Sequence, residues 1–165
     1  MKHSAGLARA YRASCYFAGE HAARIGQRAP GLDALLRCWR VREGVFIAAG
    51  NPFSRRMAAG WNVRRHAALR ERLRALPHVE GKGGAKRWWE VHCFIGISAA
   101  RGRQLARLFR QNAMVALRRG GKARLEYFQA KWNHLATRKM RPNKQSIFKP
   151  SGTTWRLGKC DQTML

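Results

Sequence analysis

The chain has 165 residues, and its 34 Lys+Arg against 8 Asp+Glu give a formal net charge of +26. It is long enough for one domain to bury a core without disulfides or metal, while such an excess of one charge opposes compaction and attracts polyanions. A GC-rich genome accounts for the arginines but not for the scarcity of acids, so a polyanionic partner, either nucleic acid or an anionic membrane surface, is weighed from the outset.

Cys15, Cys38, Cys93 and Cys160 form no Cys-x-x-Cys pair, which argues against a zinc site or a redox motif. No cofactor or metal is called for. No stretch is apolar and long enough to span a membrane or to act as a signal peptide, so the expectation is a reduced, cytoplasmic protein.

In chain order, Tyr11 to Phe17 alternates Tyr11, Ala13, Cys15 and Phe17 against Arg12, Ser14 and Tyr16, the period of a strand. Gly19-Glu20 permits a reversal into a second short strand, His21 to Ile25, which Pro30-Gly31 ends. Leu32, Leu35, Leu36 and Trp39 then take the i, i+3, i+4, i+7 spacing of a short helix, with Asp33 near its N-terminus. Gly44 to Ala49 is the most apolar run and reads as a strand buried on both faces. Asn51-Pro52 breaks it, so Phe53 and Ser54 begin a loop at a strand end, a place where ligands collect in open sheets and where plain connections are also common.

Asn62 is the expected N-cap of the following helix, with His66, Leu69, Leu73 and Leu76 inward and Pro77 as its stop. Lys82-Gly83-Gly84-Ala85 reads as a flexible connection. Trp88 to Ile97 alternates as a long strand, Ser98 caps another helix with Leu105, Leu108 and Phe109 inward, and Ala113 to Arg118 and Ala123 to Phe128 form a hairpin about Gly120-Gly121. The order implies an α+β fold: a two-layer, mixed but mainly antiparallel sheet with about three helices packed on it. Residues 1–128 form this domain. Residues 129–165, with five of the nine lysines and little periodicity, read as a basic, disordered or loosely packed tail.

Asn51-Pro52-Phe53-Ser54 after an apolar strand, Asn62 opening a helix, Trp88-x-Glu90 on a later strand and Phe109-x-Gln111-Asn112-Ala113 entering another resemble a bacterial domain-of-unknown-function family, numbered 3293. The resemblance spans about residues 11–128. Two departures stand out: His92 occupies a position where a small hydroxyl residue is usual in that family, and Arg110 one where glycine is usual. What the resemblance implies is a fold and a set of marked positions, with no activity attached.

Those marked positions define a candidate ligand site. Asn51, Ser54, Asn62, Gln111 and Asn112 are polar residues at element ends, which either converge on a pocket or each serve a local turn or cap. Glu90 and His92 are the candidate catalytic pair, two apart on one strand face; the alternative is that Glu90 forms an ion pair with one of the many arginines. Cys93 points to the opposite face from His92, against a Cys-His nucleophile. Arg64, Arg70 and Arg74 on one helix and Arg103, Arg107 and Arg110 on the next form basic stripes that would bind nucleic acid without base reading. A sequence-tolerant nucleic-acid-associated protein is therefore the first expectation. A small-ligand or nucleotide-handling domain, whether or not an enzyme, with a polar pocket at the strand end is the second, and a structural interaction partner the third.

Overall fold

The apolar run forms β3 (Glu43–Ala48), whose four inner residues are buried, because it lies inside a seven-stranded sheet in the order β2-β1-β4-β5-β3-β6-β7. The computed structural model describes residues 2–128, with side chains from Gly6 onward. These residues lie within one compact unit, Met1–Ala130; the tail from Gln129 onward falls outside the described residues.

The other strands are β1 (Cys15–Ala18), β2 (His21–Arg24), β4 (His78–Ala85), β5 (Trp88–Ile95), β6 (Ala113–Arg118) and β7 (Arg124–Tyr127). The helices are α1 (Lys2–Ala13), α2 (Pro30–Cys38), α3 (Ala59–Leu73) and α4 (Ala99–Leu108), with one 3-10 turn at Pro52–Ser54. Every pairing between neighbouring strands is antiparallel. This is the α+β fold expected, helices packed on an antiparallel sheet.

Alternation along the strands divides the core. Val45, Ile47, Cys93, Ile95, Met114 and Ala116 pack against Leu69 and Leu73 of α3 and Ala106 of α4. Phe46, Phe94, Val115 and Leu117 point the other way, against Leu32 and Leu36 of α2, and α1 lies over this same face.

Four local expectations are corrected. The N-terminal segment is helical through Ala13, and β1 begins only at Cys15, so Tyr16 and Ala18, not Phe17, join the buried core. Lys82-Gly83-Gly84-Ala85 belongs to β4, paired with β5 in the register Gly83↔Glu90 and Gly84↔Trp89. Its glycines are a packing requirement: a Cβ on Gly83 would come within 2.1 Å of the His92 ring and 2.9 Å of Tyr16. Leu108 is exposed, and Gly102 with Ala106 forms the inner surface of α4 instead. Finally, Gly120-Gly121 is part of a longer β6–β7 loop, since the ladder closes at Ala116↔Arg124; that loop is tied to α2 by the Gly120 N–H donating to Asp33 at 2.9 Å. The Ser98 cap forms as expected, its hydroxyl accepting from the Arg101 N–H.

Candidate functional site

The loop after β3 is built on residues that bend the backbone to the left. Asn51 (φ 46), Phe53 (φ 53) and Ser54 (φ 59) all take positive φ, a conformation that costs a non-glycine residue free energy and persists only where surrounding contacts hold it. Asn51 tolerates it best, and its contacts are plain. Its N–H donates to Asn62 Oδ1 at 2.9 Å, and its own Oδ1 accepts from Asn62 Nδ2 and from the Met57 N–H, both at 3.0 Å. Asn62 is therefore not the N-cap of α3, a place taken by Ala58. It sits in the first turn of the helix and clamps Asn51.

The remaining Asn51 donor, Nδ2, reaches Glu90 Oε1 at 2.8 Å across the end of the sheet. The indole of Trp88, two residues along β5 on the same face, donates to the same oxygen at 3.1 Å. Glu90 Oε2 takes no hydrogen bond among the described residues, and none of the described Arg or Lys side chains forms an ion pair with Glu90. Glu71, Glu80 and Glu126, by contrast, are each paired with an arginine.

Glu90 opens onto a cleft of about 180 Å³ between α1 and the sheet, with Tyr11, Tyr16, Phe46, Trp88, His92 and Gln111 among its walls. The Tyr16 and His92 rings stack at 5.8 Å, and Phe46 meets His92 edge-on at 5.3 Å. Burial pushes the His92 imidazole down to about 3; nearby His66 adds to this, and a backbone hydrogen bond to Lys82 opposes it. The ring is neutral at ordinary pH, its Nε2 buried without a partner among the described residues. A ring proton on the other nitrogen leaves Nε2 an acceptor. Burial also raises the Tyr11 phenol, against a hydrogen bond with Ser54, and Glu90 and Tyr127 raise it further.

Gln111 closes the site from the α4–β6 junction, its Nε2 donating to Gly50 O at 2.9 Å and Phe109 O at 3.2 Å. Asn112 Nδ2 donates to Ser54 Oγ at 2.9 Å. Immediately before them lies Arg110 at φ 55, whose carbonyl accepts from the Phe53 N–H at 2.7 Å. A left-handed backbone is what makes glycine the easier residue at that position. Asn51, Asn62 and Glu90 are thus hydrogen-bonded into one group, with Gln111 fixed to Gly50 beside it; Ser54 and Asn112 form a second pair at the rim. His92 shares the cleft. Cys93 faces α3, where burial pushes its thiol up to about 12, with Glu80 adding and Arg70 opposing, so it stays protonated.

The six arginines of the basic stripes are not equivalent. Arg70 pairs with Glu80 at 2.7 Å, Arg74 with Glu71 and Arg103 with Glu126 at 2.8 Å. Arg64, Arg107 and Arg110 are exposed and make no ion pair among the described residues. Among the described residues no group of His, Cys, Asp or Glu is placed to hold a metal, and no helix is long and apolar enough to cross a membrane.

Tyr11, Tyr16 and Trp88 were not foreseen as site residues. Leu7, Ala10, Tyr11 and Ser14 all line the cleft, and their i, i+3, i+4, i+7 spacing is the helical signal that would have found α1.

Residues 47–114 match the model of a family described as Protein of unknown function (DUF3293), the family numbered 3293 that the motifs resemble, over a narrower span than those motifs cover. The matched segment runs from within β3 to the start of β6 and contains Asn51, Ser54, Asn62, Glu90, His92, Gln111 and Asn112. No curated protein and no solved structure matches the chain.

Proposed function

We propose that this protein binds a small ligand in the cleft between α1 and the end of β3, with Glu90 as its principal polar contact. The observation that carries the reading is the state of Glu90. The acids with structural duty are held by arginines, as Glu71, Glu80 and Glu126 are, or cap a backbone N–H of a distant element, as Asp33 and Glu43 do. Glu90 instead is held by two neutral donors, Asn51 and Trp88, with half its carboxylate uncommitted in a concave, aromatic-lined space. Asn51 and Asn62 orient that carboxylate, and Tyr11, Tyr16 and Trp88 supply flat walls.

The reading assigns binding. Its bearing on catalysis is limited to Glu90, because an imidazole held near 3 is a poor proton acceptor at neutral pH. The test is mass spectrometry of what copurifies with the wild type and with Glu90→Gln, Asn51→Ala and Gln111→Ala, alongside melting curves. A shared loss of cargo in folded variants supports the site. Unchanged cargo in all three overturns it.

A second reading, sequence-tolerant nucleic-acid binding, is favoured by the exposed Arg64 on α3 and Arg107 on α4, helices that pack on one face of the sheet, with exposed Arg110 just beyond the end of α4. Its affinity for duplex DNA should fall with salt at a log-log slope of about −0.9 for each phosphate neutralised. Absence of any gel shift at low salt removes it.

A further inference from the structure

The composition of the cleft says what kind of ligand it takes, and this step rests on the binding reading above. We infer that the ligand is a small, flat organic molecule bearing N–H donors and positive charge, of the amidine, guanidine or aminated-heterocycle class, and that anionic ligands, phosphorylated nucleotides included, are excluded from this site.

Two observations carry the inference. The first is an accounting of hydrogen-bond capacity. Of the side chains lining the cleft only Gln111 carries an amide, and both its Nε2 hydrogens are spent within the protein, on Gly50 O and Phe109 O, while Tyr16 donates its hydroxyl to Tyr11 O. The Trp88 indole N–H is spent on Glu90 as well. What is left over is mainly acceptor capacity, Glu90 Oε2, Gln111 Oε1 and the unpartnered, buried Nε2 of His92, beside the Tyr11 and Ser54 hydroxyls, which can donate or accept. A ligand that brings acceptors would leave these unsatisfied, at a free-energy cost, whereas one that brings N–H groups completes them.

The second is charge. Among the described residues, none that lines the cleft is Lys or Arg, in a chain where those two types number 34. The one histidine there is neutral and the one formal charge is the Glu90 carboxylate. Arg56 lies over the Trp88 ring at 5.8 Å but does not line the cleft, so an anion in this space would face that carboxylate with no counter-charge among the lining residues, while a cation forms the charge-assisted hydrogen bond that a half-committed carboxylate favours. The aromatic walls agree with the same ligand, since ring faces attract cations and stack on flat groups, and about 180 Å³ suits a single ring with its substituent.

Three probes of one shape and different charge test this on the full-length protein: benzamidine, benzamide and benzoate, each titrated by ligand-observed NMR and by thermal shift, with wild type and Glu90→Gln. Benzamidine should bind about tenfold or more tightly than benzoate, the worth of one charge-assisted hydrogen bond, with benzamide between them. Glu90→Gln should collapse that order while leaving the three compounds able to bind weakly. Benzoate binding as well as benzamidine, with competition between the two, overturns the ligand class but leaves the cleft a binding site. No binding of any probe, together with unchanged cargo in Glu90→Gln, overturns the ligand class and the site together. Binding of benzamidine that Glu90→Gln does not weaken places the ligand elsewhere and overturns the inference, and Trp88→Phe, which keeps a flat wall but loses the indole donor, checks that outcome independently.

Discussion

The two faces of the sheet are made from the same strands and alternate residues, yet they do different work. Under α3 and α4 the centre is mostly aliphatic and dry: Val45, Ile47, Ile95, Leu69 and Leu73 are at most 1% exposed, and the acids on this face, Glu80 of β4 and Glu126 of β7, are paired with Arg70 and Arg103 of the helices. The opposite face begins as an aromatic run, Trp39 on Phe94, Phe94 on Phe46, Phe46 on His92, His92 on Tyr16, and ends in a carboxylate at the mouth of a cleft. The dry face supplies cohesion; the aromatic face trades some of it for a place where polar groups can be held half-buried. Rings suit that trade because they bury large areas with few torsions to freeze and still present an edge or a ring nitrogen.

The sharpest way to break this comparison is to truncate one residue on each face. Leu69→Ala or Leu73→Ala should cost about 2–5 kcal/mol, since each leaves a cavity in a site with no room to collapse. Glu90→Gln should leave stability unchanged or raise it, because residues arranged for binding are commonly not those arranged for stability. Urea unfolding of the three proteins checks it. A Glu90→Gln loss as large as that of the leucines would make Glu90 part of the cohesive structure.

Gly83→Ala sharpens the comparison on the cleft side alone. Its new methyl meets two packed rings, His92 and Tyr16, neither free to swing away, so about 1–3 kcal/mol of destabilisation is expected, with a change in cleft binding beyond the fall in stability. Gly121 meets only the Arg118 carbonyl at 2.9 Å from its own loop, so Gly121→Ala should leave cleft binding untouched and serves as the control.

Acid should act mainly through the same face. His92 is held down to about 3 against an ordinary value of 6.5, so the unfolded chain takes up a proton that the folded chain refuses. The stabilising effect of the neutral ring is fully present above pH 6.5 and is lost as pH falls toward 3, at up to about 1.4 kcal/mol per pH unit. Unfolding free energies measured from pH 7 to pH 4 should show this slope in the wild type and a flatter one in His92→Ala, whatever the latter's baseline. Equal slopes would mean that His92 meets solvent.

Much of this was legible in the sequence, and the exceptions have physical causes. β3, β5 and β6 were readable because central strands carry unbroken or strictly alternating apolar residues, and α2 and α3 because their inward positions keep helical spacing. β4 was hidden by Lys82-Gly83-Gly84-Ala85: glycines normally mark flexibility, and here they mark the absence of side chains where rings from a neighbouring strand must lie. α1 was hidden because Tyr11 to Phe17 happens to alternate, while the true break at Ser14 splits that run between a helix and a strand. Asn51, Glu90 and Gln111 could be named from their places at strand and helix ends. That Asn51 hydrogen-bonds Glu90, 39 positions away, depends on the pairing of β3 with β5, with Ala48 opposite His92, which local periodicity does not fix. The basic stripes were legible in part: spacing puts the arginines outward, but only the fold shows which ones Glu71, Glu80 and Glu126 pair with.

The smallest expected effect separates the site from the charge. Arg110 sits at φ 55, so Arg110→Gly should relieve left-handed strain and, after the greater chain entropy of glycine is subtracted, raise stability by up to about 1 kcal/mol. The contact this residue makes with the site is a backbone one, its carbonyl accepting from the Phe53 N–H, and glycine keeps it. Cleft ligands should therefore bind Arg110→Gly as they bind the wild type. Any polyanion binding by the exposed guanidinium should weaken instead, with the log-log salt slope on duplex DNA shrinking by about 0.9. Melting curves, benzamidine titrations and salt-dependent DNA titrations of this single variant thus test the two faces against each other. A fall in melting temperature would mean that the side chain, not the backbone, stabilises the α4–β6 junction, and a loss of benzamidine binding would mean that the positive stripe and the cleft are one site rather than two.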